Sequence, residues 1–102
     1  MANNNLVGKF LCYRKDSPMT DGLIYKVTDK RIFFVTAYGD DRYVSILNFT
    51  DRKDNNGNPW YWVQDKPTDT YWWTPEMISR RKLEKNLTEE LNEINPFNLE
   101  WN

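Results

Sequence analysis

This chain of 102 residues contains no histidine and only one cysteine, and both facts restrict its chemistry. Histidine is the commonest general base and metal ligand near neutral pH, so most hydrolytic and metal-dependent mechanisms lose their usual residue. A single cysteine, Cys12, excludes a disulfide within the chain and any zinc site built from several cysteines. We therefore interpret the chain as a non-enzymatic protein and expect no catalytic residue, no metal and no cofactor.

The chain also has few glycines, a net charge close to zero and no long apolar run. The four glycines are spread along the chain, so there is no glycine-rich phosphate-binding loop. The 14 basic and 15 acidic residues leave a net charge of −1, which gives no long-range attraction to nucleic acid or to an anionic membrane. No apolar run approaches the roughly 20 residues of a membrane span, and the first residues lack the pattern of a secretion signal. We expect a soluble cytoplasmic protein without a membrane partner.

Aromatic residues are abundant instead, with five tryptophans, six tyrosines and five phenylalanines. Many fall in two bursts, Trp60-Tyr61-Trp62 and Tyr71-Trp72-Trp73. Neighbouring residues of a strand point to opposite faces, so each burst supplies rings to both faces, and both faces cannot be core. Either the rings fill a small core, or one or two remain exposed as anchors for a partner. For the set as a whole we favour exposed anchors.

Turn signals divide the first two thirds of the chain into short strands. We predict turns at Thr20-Asp21-Gly22 and at Asn56-Gly57, because these residue types adopt turn conformations easily. Apolar residues on both faces of the fourth predicted strand indicate a central position in the sheet. The predicted strands are residues 7–13, 23–27, 32–38, 43–49 and 60–64.

The sequence from Thr74 onwards is typical of a helix. Thr74-Pro75-Glu76 combines a capping hydroxyl, a proline at the first helical position and an early acid. Met77 and Ile78 are out of phase with the leucines that follow, which favours a short helical turn and then a second, longer helix. The leucine stripe predicts a docking or self-association surface, with a homodimer as one outcome. The stripe consists of Leu83, Leu87, Leu91 and Ile94.

Apolar residues alternate with polar ones after Asn95-Pro96, which is typical of an added strand or an anchor. Together with the aromatic bursts, this tail supplies the predicted contacts with a protein partner. The predicted partner-binding residues are Trp60, Trp62, Trp72, Phe97, Leu99 and Trp101.

Single-stranded DNA or RNA is the alternative partner, because aromatic rings stack on bases while basic residues follow the phosphates. The basic residues are scattered among as many acids, and charged side chains at strand ends are often only solvated edges. The best phosphate-facing patch is Arg80, Arg81 and Lys82. The other candidates are Arg14, Lys15, Lys30, Arg31, Arg42, Arg52 and Lys53.

These patterns predict one domain over residues 1–102 that is mainly β, in the α+β sense. We expect a five- to six-stranded barrel of SH3-like or OB-like type over residues 6–78. Residues 79–102 would then form a helical extension with an aromatic tail.

Three segments carry short motifs, namely Gly22-Leu23-Ile24-Tyr25-Lys26-Val27, Gly39-Asp40-Asp41 and Tyr71-Trp72-Trp73-Thr74-Pro75-Glu76-Met77. These segments resemble small bacteriophage-encoded proteins with an SH3-like barrel. In that group a strand with the glycine, tyrosine and valine spacing of the first segment is followed by an acidic turn, and a tryptophan-rich strand leads to a closing helical turn. The long loop at 51–59 and the segment after residue 80 depart from the group.

The resemblance implies an accessory phage protein in the cytoplasm of an infected bacterial host. Such a protein would bind and modulate, or inhibit, a host protein or a defence complex. A small virion assembly protein is a further alternative, in which the helix and the tail would mediate homo-oligomers.

Overall fold

One antiparallel sheet of five strands organises the chain in a computed structural model that describes residues 4–14, 18–68 and 70–87. The spatial order of the strands is β4-β3-β2-β1-β5. The chain is therefore mainly β, as the sequence predicted. The strands are β1 (Phe10–Arg14), β2 (Pro18–Val27), β3 (Arg31–Val35), β4 (Asp41–Ser45) and β5 (Tyr61–Gln64). The helical elements are a 3₁₀ turn (Asn4–Leu6), α1 (Ile46–Asp51) and α2 (Pro75–Glu84).

Each face of the sheet carries a buried apolar cluster, because neighbouring strand residues contribute to different clusters. The expectation that both faces cannot be core was therefore wrong. Leu11 belongs to the first cluster and Phe10 to the second. Phe34 and Val35 divide between the clusters in the same way. The 3₁₀ turn and α1 cover the first cluster, and Trp73 with α2 covers the second. The first cluster contains Leu11, Ile24, Val27, Ile32, Phe34 and Val44, and the second contains Phe10, Leu23, Val35 and Trp73.

Strand β2 contains a β-bulge where the sequence predicted a turn. Leu11 pairs with Gly22 and Cys12 pairs with Thr20, so Asp21 has no partner in β1. The chain continues as a strand because a bulge accommodates the extra residue and local twist. A Cβ on Gly22 would lie 2.5 Å from Phe34 Cδ2. Glycine therefore lets β3 approach β2 closely at this point, and the turn prediction was wrong.

The predicted strand at 43–49 is also wrong in its second half, because the strand ends at Ser45 and α1 follows. The Ser45 hydroxyl accepts a hydrogen bond from the Asn48 backbone N–H at 3.0 Å and so caps the helix. Ile46 and Phe49 both pack against the first cluster. Residues three apart lie on one side of a helix, but in a strand they would point to opposite faces. In so short a segment the two patterns cannot be distinguished, which is why the sequence predicted a strand with two apolar faces. The predicted central position was wrong as well, because β4 is the first strand in the spatial order and lies at an edge of the sheet.

Helix α2 begins where the sequence predicted. The Thr74 hydroxyl accepts a hydrogen bond from the Met77 backbone N–H at 3.2 Å, and Pro75 occupies the first turn. Met77 packs on the second cluster, as does its neighbour Ile78. The early apolar residues therefore face the sheet, and α2 is one continuous helix up to Glu84.

The predicted stripe of Leu83 and Leu87 does not lie on one helix. Asn86 adopts a φ of 60°, and the Leu87 backbone N–H bonds to the Lys82 carbonyl at 2.8 Å. This left-handed residue with its backward hydrogen bond ends the helix between the two leucines. Leu83 is 52% exposed, whereas Leu87 packs against the second cluster. Leu91 and Ile94 lie outside the described residues.

We predict that Gly22→Ala costs about 3 kcal/mol of unfolding free energy, the upper end of the range for overpacking. The added Cβ would meet the Val35 carbonyl oxygen at 2.6 Å, and backbone cannot move aside easily. Gly8→Ala is the control. A Cβ added there has nothing within 4 Å, so the variant is strained only by the φ of +90°, which alanine rarely adopts. That variant should lose about 1 kcal/mol. Urea unfolding of both variants measures the difference, and equal losses would contradict the close approach.

Candidate functional site

The first aromatic burst lies on and next to β5, with its tryptophans partly buried. The Arg52 guanidinium lies 4.2 Å from the centre of the Trp60 ring, and that of Arg14 lies 5.4 Å from the Trp62 ring. Trp62 Nε1 also donates a hydrogen bond to Gln64 Oε1 at 2.9 Å. Both tryptophans therefore have partners within the protein, and two of the predicted phosphate-contacting arginines lie on rings.

The second burst forms a turn before α2, and its three rings differ sharply in exposure. Trp73 is 2% exposed and meets Phe10 edge-on, with ring centres 5.3 Å apart. Trp72 is 46% exposed and Tyr71 is 77% exposed, and their rings are perpendicular at 4.9 Å. Tyr38, which is 72% exposed, lies 5.4 Å from Trp72. We call Tyr38, Tyr71 and Trp72 the aromatic surface.

A cleft of about 300 Å³ opens beside this surface. Tyr38, Trp72 and Trp73 contribute rings to its lining. Two groups of opposite charge, Asp21 and Arg42, also line it. An aromatic cleft with a few polar groups is the usual form of a binding site.

Asp21 reaches the cleft because it is the bulged residue of β2. A bulge redirects the side chain of its extra residue, and such features are frequent next to functional sites. Within the described residues, the Asp21 carboxylate makes no hydrogen bond and no ion pair. Burial raises its pKa, and the charge of Arg42 opposes that shift. The cleft thus contains a carboxylate that has lost water without gaining a direct partner.

Two contacts hold the walls of the cleft in place. Arg81 donates hydrogen bonds from Nη2 to the Ala37 carbonyl at 3.1 Å and from Nη1 to Glu84 at 2.9 Å. The first bond connects α2 to the turn that carries Tyr38, and the second, within α2, orients the guanidinium. On the other side, the Thr68 backbone N–H donates to Thr20 Oγ1 at 2.7 Å. The loop before Trp72 is thereby tied to the bulge.

The predicted phosphate-facing patch does not form one surface. Arg81 is 9% exposed and is turned into the protein, while Arg80 is exposed and Lys82 is half-buried. Consecutive residues of an α-helix diverge by about 100°, so these three side chains point in different directions. Arg81 therefore positions the cleft, and its guanidinium is not available to a phosphate.

A second surface places cations on aromatic rings across β2, β3 and β4. The rings of Tyr25 and Phe33 are 6.4 Å apart, and those of Phe33 and Tyr43 are 5.8 Å apart. A basic group lies within 5.4 Å of each ring centre. One of them, Lys85, also bonds to Asp41 at 2.7 Å. We call the set the aromatic–cation strip; its basic members are Lys26, Arg31 and Lys85.

The sole cysteine is buried. Cys12 is 0% exposed, and burial raises the pKa of its thiol, so it packs as a small apolar group. Within residues 4–14, 18–68 and 70–87, no three metal-binding side chains lie close enough to hold an ion.

Several predicted site residues lie outside the described part of the chain, and the predictions made for them stay predictions. These residues are Lys15, Leu91, Ile94, Phe97, Leu99 and Trp101.

Three residues of the candidate site, Asp21, Tyr38 and Tyr71, are not among the predicted site residues. An aspartate followed by glycine inside an apolar segment is a signal of a bulge, and it could have identified Asp21. No signal in the sequence brings Tyr38 next to Trp72, because the two residues meet only when α2 docks on the sheet.

Comparisons with protein-family models, curated proteins and solved structures give no match to this chain. Among the residues that the structure describes, no helix is long and apolar enough to cross a membrane.

We predict that Arg81→Ala lowers the unfolding free energy by about 1–3 kcal/mol, because it leaves the Ala37 carbonyl without its donor. Arg80→Ala is the matched control, since this neighbouring arginine is exposed and should change stability by less than about 0.5 kcal/mol. Urea unfolding of both variants measures the effect. Similar losses in the two would show that Arg81 does not connect the helix to the turn.

We predict that Asp21→Asn stabilises the protein at neutral pH. Because the pKa of Asp21 is raised on folding, the folded state holds its proton more tightly than the unfolded state. Stability therefore falls as the pH rises from the ordinary aspartate range through the raised pKa, and the whole penalty is present above it. The Asn variant lacks this penalty, so its advantage should shrink as the pH is lowered.

Unfolding midpoints in urea across a pH series measure this effect. Asp51→Asn, at the exposed end of α1 and outside the lining of the cleft, controls for the change in net charge. A loss of stability in Asp21→Asn at neutral pH would mean that the carboxylate makes a stabilising contact.

Proposed function

We propose that this protein is a non-enzymatic binding module that docks a protein partner on the aromatic surface and its cleft. The observation that carries the proposal is the exposure of Trp72 and Tyr38 in the lining of a cleft that contains charge, with exposed Tyr71 against Trp72. Tryptophan and tyrosine are the residues that most often dominate binding energy at protein interfaces. Clustered exposed apolar side chains also cost solubility unless a partner covers them.

The contacts that anchor the surface support the same proposal. Trp72 lies between buried Trp73 and the tied loop at Thr68, and the turn of Tyr38 is held by Arg81. Rings that are already ordered lose little conformational entropy when a partner binds. The surface is therefore suited to binding without a large rearrangement.

We propose further that the sheet is of the SH3-like type and that the partner is a bacterial host protein or defence complex. The strand order β4-β3-β2-β1-β5 supports the fold type, as does α1, which contacts both β4 and β5. The resemblance of three segments to small phage proteins supports the partner. Binding there would modulate or inhibit the host protein in the host cytoplasm.

Single-stranded nucleic acid is the second candidate partner, and the aromatic–cation strip is the observation that favours it. Three rings at intervals of 6.4 and 5.8 Å could stack with bases, while adjacent cations neutralise phosphates. Two features weaken this candidate. The cations already lie on the rings, and the charge of Lys85 is paired with Asp41.

A pull-down from bacterial lysate with Trp72→Ala as the comparison bait tests the proposed function. We expect Trp72→Ala to lose a partner that the native chain captures, with affinity lower by about 30-fold or more. Its melting temperature should stay close to that of the native chain, because Trp72 is 46% exposed. Trp62→Ala is the control, since that half-buried ring has partners within the protein.

Nuclease treatment of a parallel sample separates the two candidates. A partner that survives nuclease and depends on Trp72 supports protein binding. Capture that disappears with nuclease, weakens with salt and depends on Tyr43 favours the nucleic-acid candidate. A partner held equally by Trp72→Ala and the native chain contradicts the proposed surface.

A further inference from the structure

Among the described residues, Asp21 is the one acid in the lining of the cleft, and none of them pairs with it directly. Strand pairing does not require an aspartate at this bulge, because the position has no partner in β1. A partly buried carboxylate without a partner is unfavourable, and the unfavourable energy is relieved when a cation binds. The geometry therefore leaves the negative charge in a place where an incoming group can reach it.

The rings beside Asp21 are arranged to accept a cation as well. Tyr38 and Trp72 are tilted by 50° to each other with centres 5.4 Å apart, and both border the cleft. Cations bind to the faces of such rings, and the apolar stems of lysine and arginine pack along them. The protein uses this contact elsewhere, since Arg52 lies 4.2 Å from the Trp60 ring centre.

From these contacts we infer that the cleft binds a lysine or arginine side chain of the partner. The charged end would meet the Asp21 carboxylate, and the stem would lie against Tyr38 and Trp72. This inference rests on the proposed function and adds the chemistry that the partner must present.

Arg42 is the charged group that faces Asp21 across the cleft, and its effect has to be considered. The Arg42 side chain is 62% exposed, and its guanidinium lies 4.0 Å from the Asp40 carboxylate. Its charge is therefore screened by water and shared with a second acid. Arg42 should weaken the binding of a cation without preventing it, and an anionic group would instead favour Arg42 and be repelled by Asp21.

Titration of the full chain with three capped tripeptides, followed by NMR, tests the inference. The probes are acetyl-Gly-Lys-Gly-amide, its norleucine analogue and its glutamate analogue. The readout is the indole N–H signal of Trp72, which Trp72→Phe identifies. We expect the lysine peptide to shift this signal saturably and to bind at least about tenfold more tightly than the norleucine peptide.

Two variants separate the charges of the cleft. Asp21→Asn should lower the affinity for the lysine peptide about tenfold, while Arg42→Gln should raise it severalfold. A preference for the glutamate peptide would overturn the inference. Equal binding of the lysine peptide to Asp21→Asn and the native chain would overturn it too, as would the absence of any shift up to the solubility limit of the peptide.

The partner captured by pull-down distinguishes this inference from the function on which it rests. Loss of the partner from both Trp72→Ala and Asp21→Asn supports both. If Trp72→Ala loses the partner but Asp21→Asn binds it as tightly as the native chain, the cationic side chain is excluded and the docking surface stands. If neither variant loses it, both proposals fail.

Discussion

The packing of Trp73 on Phe10 is the contact on which the candidate site depends. The Trp73 ring is the largest group that covers the second face of the sheet, and its burial removes a large apolar area from water. Next to Trp73, the Thr74 cap begins α2, and on its other side Trp72 is 46% exposed and lines the cleft. The same docking brings Arg81 within reach of the turn that carries Tyr38. One buried ring thus orders three parts of the cleft.

The site also shows how a stable sheet accommodates an unfavourable group. Gly22 allows β2 and β3 to approach closely, while its neighbour Asp21 is bulged out of the ladder and partly buried, with no direct partner among the described residues. The bulge is held between two strands whose residues are buried on both faces, so the surrounding packing offsets the cost of the carboxylate. The Asp21 carboxylate is therefore already partly desolvated before a ligand binds.

Local sequence signals predicted those elements whose patterns are unambiguous. Strands β1, β3 and β5 and the capped start of α2 follow from alternation and from Thr74-Pro75. Two predictions failed because each sequence pattern is compatible with two local structures. Ile46 and Phe49 fit both a strand and a short helix, and Asp21-Gly22 fits both a turn and a bulge. In each case long-range contacts decide. The first cluster packs against α1, and the close approach of β3 at Phe34 and Val35 leaves no room for a Cβ at position 22.

The sequence by itself determined a mainly β chain, rich in aromatic residues and without histidine, in which some rings were expected to be exposed. It could not determine which rings, because Trp72 and Trp73 are the same residue type at adjacent positions. Only the tertiary structure decided that Trp73 fills the second cluster and that Trp72 joins Tyr38 at the cleft. The physical reason is that burial depends on what a side chain meets across the fold, and residues 21, 38 and 72 are brought together by strand pairing and helix docking.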